Sequence, residues 1–189
     1  MSKARSELPG EFFLRDIRSL RANADALLLA GSRHEAAHRT VELLQTLLTA
    51  EIVCVLRYTS LSVSPLGLKY TSIGAEFQEQ ANDERRHMAL LAERIAELGG
   101  VPDFSPCGLV SRRYASDETE DCLAEIVRDN LEAERGVIEH YRGLIRHFSK
   151  TDHETCKMLK YILQDEEHHI ADMHDLIDTG AGAQKPFLN

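Results

Sequence analysis

No stretch of this sequence approaches the roughly 18–20 consecutive apolar residues that a membrane-spanning helix needs, so a membrane span is not expected. The first ten residues, MSKARSELPG, lack the continuous apolar segment of a secretory signal, and a cytoplasmic location is expected from that. Basic residues are in short supply: 22 Lys and Arg against 31 Asp and Glu leave a net charge of −9. That balance repels nucleic-acid phosphate and concentrates cations, so direct DNA binding is not expected and cations are the expected partners. The four cysteines, Cys54, Cys107, Cys122 and Cys156, form no CxxC pair. A disulfide framework or a structural zinc site is therefore not indicated, and free thiols packed as small apolar groups are expected. Strand-like alternation is missing as well, which leaves an all-α chain.

What the sequence does contain is four long helical stretches between proline- and glycine-rich breaks, at residues 33–60, 73–99, 117–148 and 151–178. The breaks are SVSPLGLKY, the run that opens GGVPDFSPCG, and SKTD. Residues 11–29, with Phe13, Ile17, Leu20 and Leu27 at helical spacing, predict an extra N-terminal helix. The expected organisation is an N-terminal extension over 1–32, a helical domain over 33–178 and a flexible tail over 179–189. At 189 residues one domain is the working expectation.

Each long stretch carries an apolar stripe at intervals of three and four. Each stripe is interrupted once near its middle by a glutamate: Glu51, Glu84, Glu134 and Glu166. Glu84 and Glu166 are followed one turn later on the same face by His87 and His169. If consecutive helices run antiparallel, a rise of about 1.5 Å per residue puts the paired acids at the same depth to within ~3 Å. Four carboxylates meeting in an apolar interior need protons or cations to offset lost hydration. Carboxylate oxygens with imidazole nitrogens suit two iron or manganese ions better than zinc. The linker between the second and third stretches is long enough to cross a whole bundle, which predicts two antiparallel hairpins joined by one long crossover.

With those residues in hand, the sequence resembles bacterioferritins over about residues 35–178. DERRH and ILQDEEHHI look like that family's two Glu-x-x-His segments, and LLTAEIVCVLRY, ending at Tyr58, looks like its first helix. The resemblance implies a ferritin-like four-helix bundle in which Glu84 and Glu166 bridge two irons. Glu51 and His87 would complete one ion, and Glu134 and His169 the other. Tyr58 matches a tyrosine that serves as an electron donor, and the implied activity is Fe(II) oxidation by oxygen or peroxide with iron storage. Haem is not expected, because Arg85 stands where the family carries its haem-ligating methionine. The tail has no counterpart of the family's fifth helix, so a 24-subunit cage, a 12-subunit shell like that of the Dps mini-ferritins and a dimer all stay open.

Rival readings keep the fold and change the chemistry. A rubrerythrin-like peroxide reductase would add an acid one turn along the third helix, where this chain has Val137, and a CxxC pair. A Dps-like DNA-protecting shell has only Lys3 and Arg5 as an early basic tail. Glu79 and Asp83 are expected as solvated charges or iron guides. Glu167, His168, His140, His147, His153 and His174 are expected at the surface, and Cys54 in the core beside Glu51.

Overall fold

Five long helices form where the apolar stripes predict them, because each stripe is long enough to bury one face of a helix against its neighbours. The structure is a computed structural model and describes residues 9–29, 36–105 and 123–178. α1 spans Pro9–Leu29, α2 Ala36–Ser62, α3 Pro65–Lys69, α4 Thr71–Glu97, α5 Leu123–Phe148 and α6 His153–Asp178. The N-terminal helix and the four long helices match the expected all-α, ferritin-like arrangement. One element was not foreseen: the SVSPLGLKY break contains the single-turn helix α3, which Ser64 caps by accepting from Gly67 N while Pro65 opens the turn. Residues 117–122, expected within the third long helix, lie outside the described residues, as do the tail and Cys107 and Cys122.

Helix ends follow local chemistry. α4 stops at Gly99, whose φ of 80° suits glycine. Gly99 N–H donates to Ala96 and Gly100 N–H to Ile95, so the last carbonyls are satisfied. α6 opens on Asp152, whose carboxylate accepts from Thr155 N at 3.0 Å and is gripped by Arg94 of α4. Arg94 thereby ties the end of α4 to the start of α6.

Helix directions emerge from cross-links. Thr46, Arg57 and Tyr58 of α2 meet His140, Asn130 and Glu134 of α5, so α2 and α5 are antiparallel. Ser62 of α2 meets Gln78 and Thr59 meets Arg85, so α2 and α4 are antiparallel too. α4 and α5 must then be parallel. The chain leaving α4 at Glu97 has to travel the length of the bundle to begin α5, which is the long crossover the linker predicts.

α2 packs chiefly on α4 and α5 on α6, while α1 lies across α2 and α5. Leu43, Leu44, Leu47 and Leu48 of α2 are fully buried, each contributing about 1.5–3 kcal/mol on leaving water. Phe13, Leu14, Ile17 and Ala24 bury the inner face of α1. Ile17 Cγ2 lies 3.1 Å from where a Cβ on Gly136 would stand, so the glycine permits the close approach of α1 to α5. No helix among the described residues is long and apolar enough to cross a membrane.

Candidate metal centre

The four interrupting glutamates converge. Glu51, Glu84, Glu134 and Glu166 have no measurable exposure, and His87 and His169 stand at 0% and 3%. Their ligand atoms fall into two overlapping quartets, Glu51, Glu84, His87, Glu166 and Glu84, Glu134, Glu166, His169, in each of which the atoms lie within 4.8 Å of one another. Glu84 and Glu166 belong to both. All six residues expected as ligands are thus brought together, with the two Glu-x-x-His acids in the shared, central position.

The imidazoles are oriented alike. His87 Nδ1 faces Glu166 Oε1 at 2.9 Å, Glu84 Oε2 at 3.1 Å and Glu51 Oε2 at 3.5 Å. Its Nε2 points away, to Asp165 Oδ2 at 3.2 Å. His169 repeats the pattern, with Nδ1 near Glu84 Oε1 at 3.5 Å and Glu166 Oε2 at 3.7 Å, and Nε2 near Asp83 Oδ2 at 3.5 Å. Each aspartate comes from the helix opposite the histidine it backs. An acid behind a ligating imidazole fixes its tautomer and strengthens it as a ligand.

A second reciprocal pair holds the outer carboxylates. Tyr58, seven residues after Glu51 on α2, donates its hydroxyl to Glu134 Oε1. Tyr141, seven residues after Glu134 on α5, donates to Glu51 Oε1 at 2.6 Å. Each tyrosine occupies one oxygen and leaves the other, Glu51 Oε2 or Glu134 Oε2, without a hydrogen bond. Glu84 Oε1, both oxygens of Glu166 and both nitrogens of His169 also lack a well-aligned partner. Buried polar atoms are rarely left so, and oxygens and nitrogens orphaned around two common points fit a pair of divalent cations.

The electrostatics lead to the same reading. Burial pushes Glu51 and Glu134 well above the usual carboxylate range, and the facing charges of Glu84 and Glu166 add to it. Glu84 moves the other way. Burial would raise it, but hydrogen bonding with Glu51 and the two histidines outweighs burial and holds it well below its ordinary value. Burial would lower His169, yet the carboxylates of Glu166 and Glu84 push it up to about 12, and His87 is raised further still. Without cations the cluster stores protons on its imidazoles and outer carboxyls, and those protons must leave when a cation binds.

Against this geometry, the profile of the ferritin family, described as a ferritin-like domain, matches residues 41–182. The chain belongs to the ferritin-like family. It is 26% identical to a bacterioferritin of Desulfovibrio desulfuricans over 75% of this chain and 76% of that one. It is 27% identical to a bacterioferritin of Mycobacterium bovis, over 69% and 78% of the two chains. A 3-demethoxyubiquinol 3-hydroxylase of Legionella pneumophila is 29% identical, but the matched region spans only 57% of that protein. Among solved structures, the Desulfovibrio desulfuricans bacterioferritin, titled for its diiron site, superposes with a TM-score of 0.68 over 82% of this chain and 86% of that one, at 23% identity. A dodecameric thioferritin from Bacteroides fragilis superposes at 0.64 over 93% and 99%, at 25% identity.

Three features of this ferritin-like centre were misjudged or missed from sequence. His140, expected at the surface, is 5% exposed and lies 3.0 Å from Thr46 Oγ1 beneath α1. The Thr46 hydroxyl gives its own proton to the Leu43 carbonyl, so His140 Nε2 is the donor. Burial, with Arg21 nearby, lowers this imidazole to about 4. Tyr141 was not singled out, although the Glu-x6-Tyr spacing of Glu51–Tyr58 recurs in Glu134–Tyr141. Asp165 was not singled out, and Asp83 was expected as a solvated charge or an iron guide and not as a partner of His169, although Asp-Glu-x-x-His occurs twice. Glu79, Glu167, His147, His153, His168 and His174 are exposed as expected, and Cys54 and Cys156 are buried free thiols. Arg85 donates to Thr59 Oγ1 and Asn82 Oδ1, both at 2.7 Å.

Proposed function

We propose that this ferritin-like protein binds two Fe(II) ions at Glu51, Glu84, His87, Glu134, Glu166 and His169 and oxidises them with oxygen or peroxide, passing the iron into storage. The observation that carries the reading is the pair of overlapping quartets sharing Glu84 and Glu166, with unsatisfied oxygens on all four acids. A metal pair held there supplies electrons to the oxidant. The protein's own part is to hold the cluster rigid and dry. Tyr58 and Tyr141 present Glu134 and Glu51 through one oxygen each, and Asp83 and Asp165 aim the imidazoles. Tyr58 is also proposed as an electron donor to the site, on the strength of its position seven residues after Glu51.

Assembly as a homo-oligomeric shell belongs to the same proposal. It is supported by the bacterioferritin relatives and by the dodecameric thioferritin, whose chain this one covers almost end to end. The hydroxylase relative offers a substrate-oxidising alternative. Total burial of the ligands favours small reactants over a bulky organic substrate. The test is aerobic addition of Fe(II) to purified protein, followed by oxygen uptake and by native mass spectrometry of the assembly. The reading expects oxygen consumption, many irons per subunit and loss of both in Glu84→Ala. Retention of two irons without further loading excludes storage, and peroxide turnover without mineral points to the rubrerythrin-like alternative.

A further inference from the structure

The two sides of the buried cluster are closed to different degrees. On one side α1 covers α2 and α5, with Phe13 and Ile17 buried against them and the Arg57 guanidinium 5.6 Å over the Phe13 ring. Glu51, Glu134, Tyr58 and Tyr141, the groups these two helices contribute, have no measurable exposure. On the other side, the groups backing the imidazoles reach solvent: the side chains of Asp83 on α4 and Asp165 on α6 are each 22% exposed. The acidic surface continues along this face. Half-buried Glu76 feels the charges of Asp172 on α6, of Glu79 and of His169.

One cation sits across this opening. Arg86 Nη1 is paired with Asp83 Oδ1, and its Nη2 lies 3.6 Å from Asp165 Oδ2. The same aspartates face inward: Asp83 through Oδ2 to His169, and Asp165 through Oδ2 to His87. Behind them lie the buried oxygens of Glu166 and the nitrogens of His169 that have no aligned partner. The guanidinium lies between both carboxylates, and offsets part of their charge, at a partly exposed approach to those atoms. It is itself 55% exposed and held by surface pairs, which are weak. It is therefore free to leave, and while in place it opposes an arriving divalent ion.

We propose that cations reach the cluster across the α4–α6 face, between Asp83 and Asp165, and that Arg86 sets the rate at which they do so. The inference rests on the metal-centre reading and adds a route and a controlling residue. Charge at the mouth of a cleft acts mainly on association rates. Each unit of positive charge removed at residue 86 is expected to speed association on the order of tenfold at low ionic strength, and the gain should shrink as salt screens it.

The test uses the full-length assembled protein and Co(II), whose bound form absorbs in the visible, in a stopped-flow mixer. Equilibrium titration runs in parallel. Arg86→Lys should keep the slow wild-type association, Arg86→Gln should be faster and Arg86→Glu fastest, with two Co(II) bound per subunit in every case. Equal rates in all four proteins overturn the proposal. So does a rate that responds only to Phe13→Ala, which loosens α1 and would place the route on the α2–α5 side. A wild type that takes up no Co(II) refutes the metal centre itself, and the proposal with it.

Discussion

The half of the centre built by α2 and α5 and the half built by α4 and α6 contain the same carboxylates at the same burial, yet they are provisioned differently. α2 and α5 each bring a glutamate and a tyrosine, and each tyrosine crosses to the other helix's acid. α4 and α6 each bring Asp-Glu-x-x-His, and each aspartate crosses to the other helix's imidazole. The two acids also shift in opposite directions. Burial and the facing charges of Glu84 and Glu166 drive Glu51 toward the neutral form, whereas hydrogen bonding with Glu51 and the two imidazoles outweighs burial at Glu84 and holds it well below its ordinary value. Neighbours decide the charge of a buried acid once burial has made every charge costly.

The largest way to break the comparison is Glu84→Ala. Because Glu84 belongs to both quartets, this variant should lose both cations, whereas Glu51→Gln should lose one. Co(II) titration read at equilibrium distinguishes two, one and none. Next in size is Asp165→Asn, which removes the acid behind His87 and should weaken cation binding by about 10–100-fold. Asp83→Asn should do the same at His169, and equal behaviour from substitutions at Glu167 or Glu79 would show that mere surface charge was responsible.

His140 sharpens the comparison from the α1-covered side. Its folded pKa of about 4 lies below the ordinary 6.5, so between those values the unfolded chain binds the extra proton. The stability it contributes is present above about pH 6.5 and is lost as pH falls toward 4. Between pH 7 and 5 the loss should be about 2 kcal/mol. His140→Gln keeps a donor for Thr46 and should flatten that part of the pH profile in urea titrations of the metal-free protein. The smallest effect is expected from Tyr141→Phe, which strips Glu51 of one hydrogen bond. A loss of about 1–1.5 kcal/mol, or roughly tenfold in affinity for one of the two cations, is anticipated. Tyr58→Phe should do the same for the other cation, and a double variant that weakens only one would break the reciprocity.

Much of the fold and the inner ring of the centre was legible in the sequence. A glutamate in the middle of an otherwise apolar stripe is costly wherever it lies, and four at matching depth have few explanations. The outer ring was hidden for an equally physical reason. Asp83, Asp165 and Tyr141 act on residues of a different helix, and a helical face computed from one segment does not say which neighbour it will meet. His140 was misplaced because the polar face of α5 on which it sits is covered by α1, and nothing in the spacing of residues 11–29 says where that helix docks.

By itself, then, the sequence determined the helices, their mid-stripe acids and the two Glu-x-x-His turns, because periodicity and spacing are local properties of a chain with 3.6 residues per turn. Only the tertiary structure decided which oxygens each tyrosine holds, which aspartate backs which imidazole and which side of the cluster α1 closes. Those depend on how helices distant in sequence are set against one another, where a shift of one turn would exchange every partner.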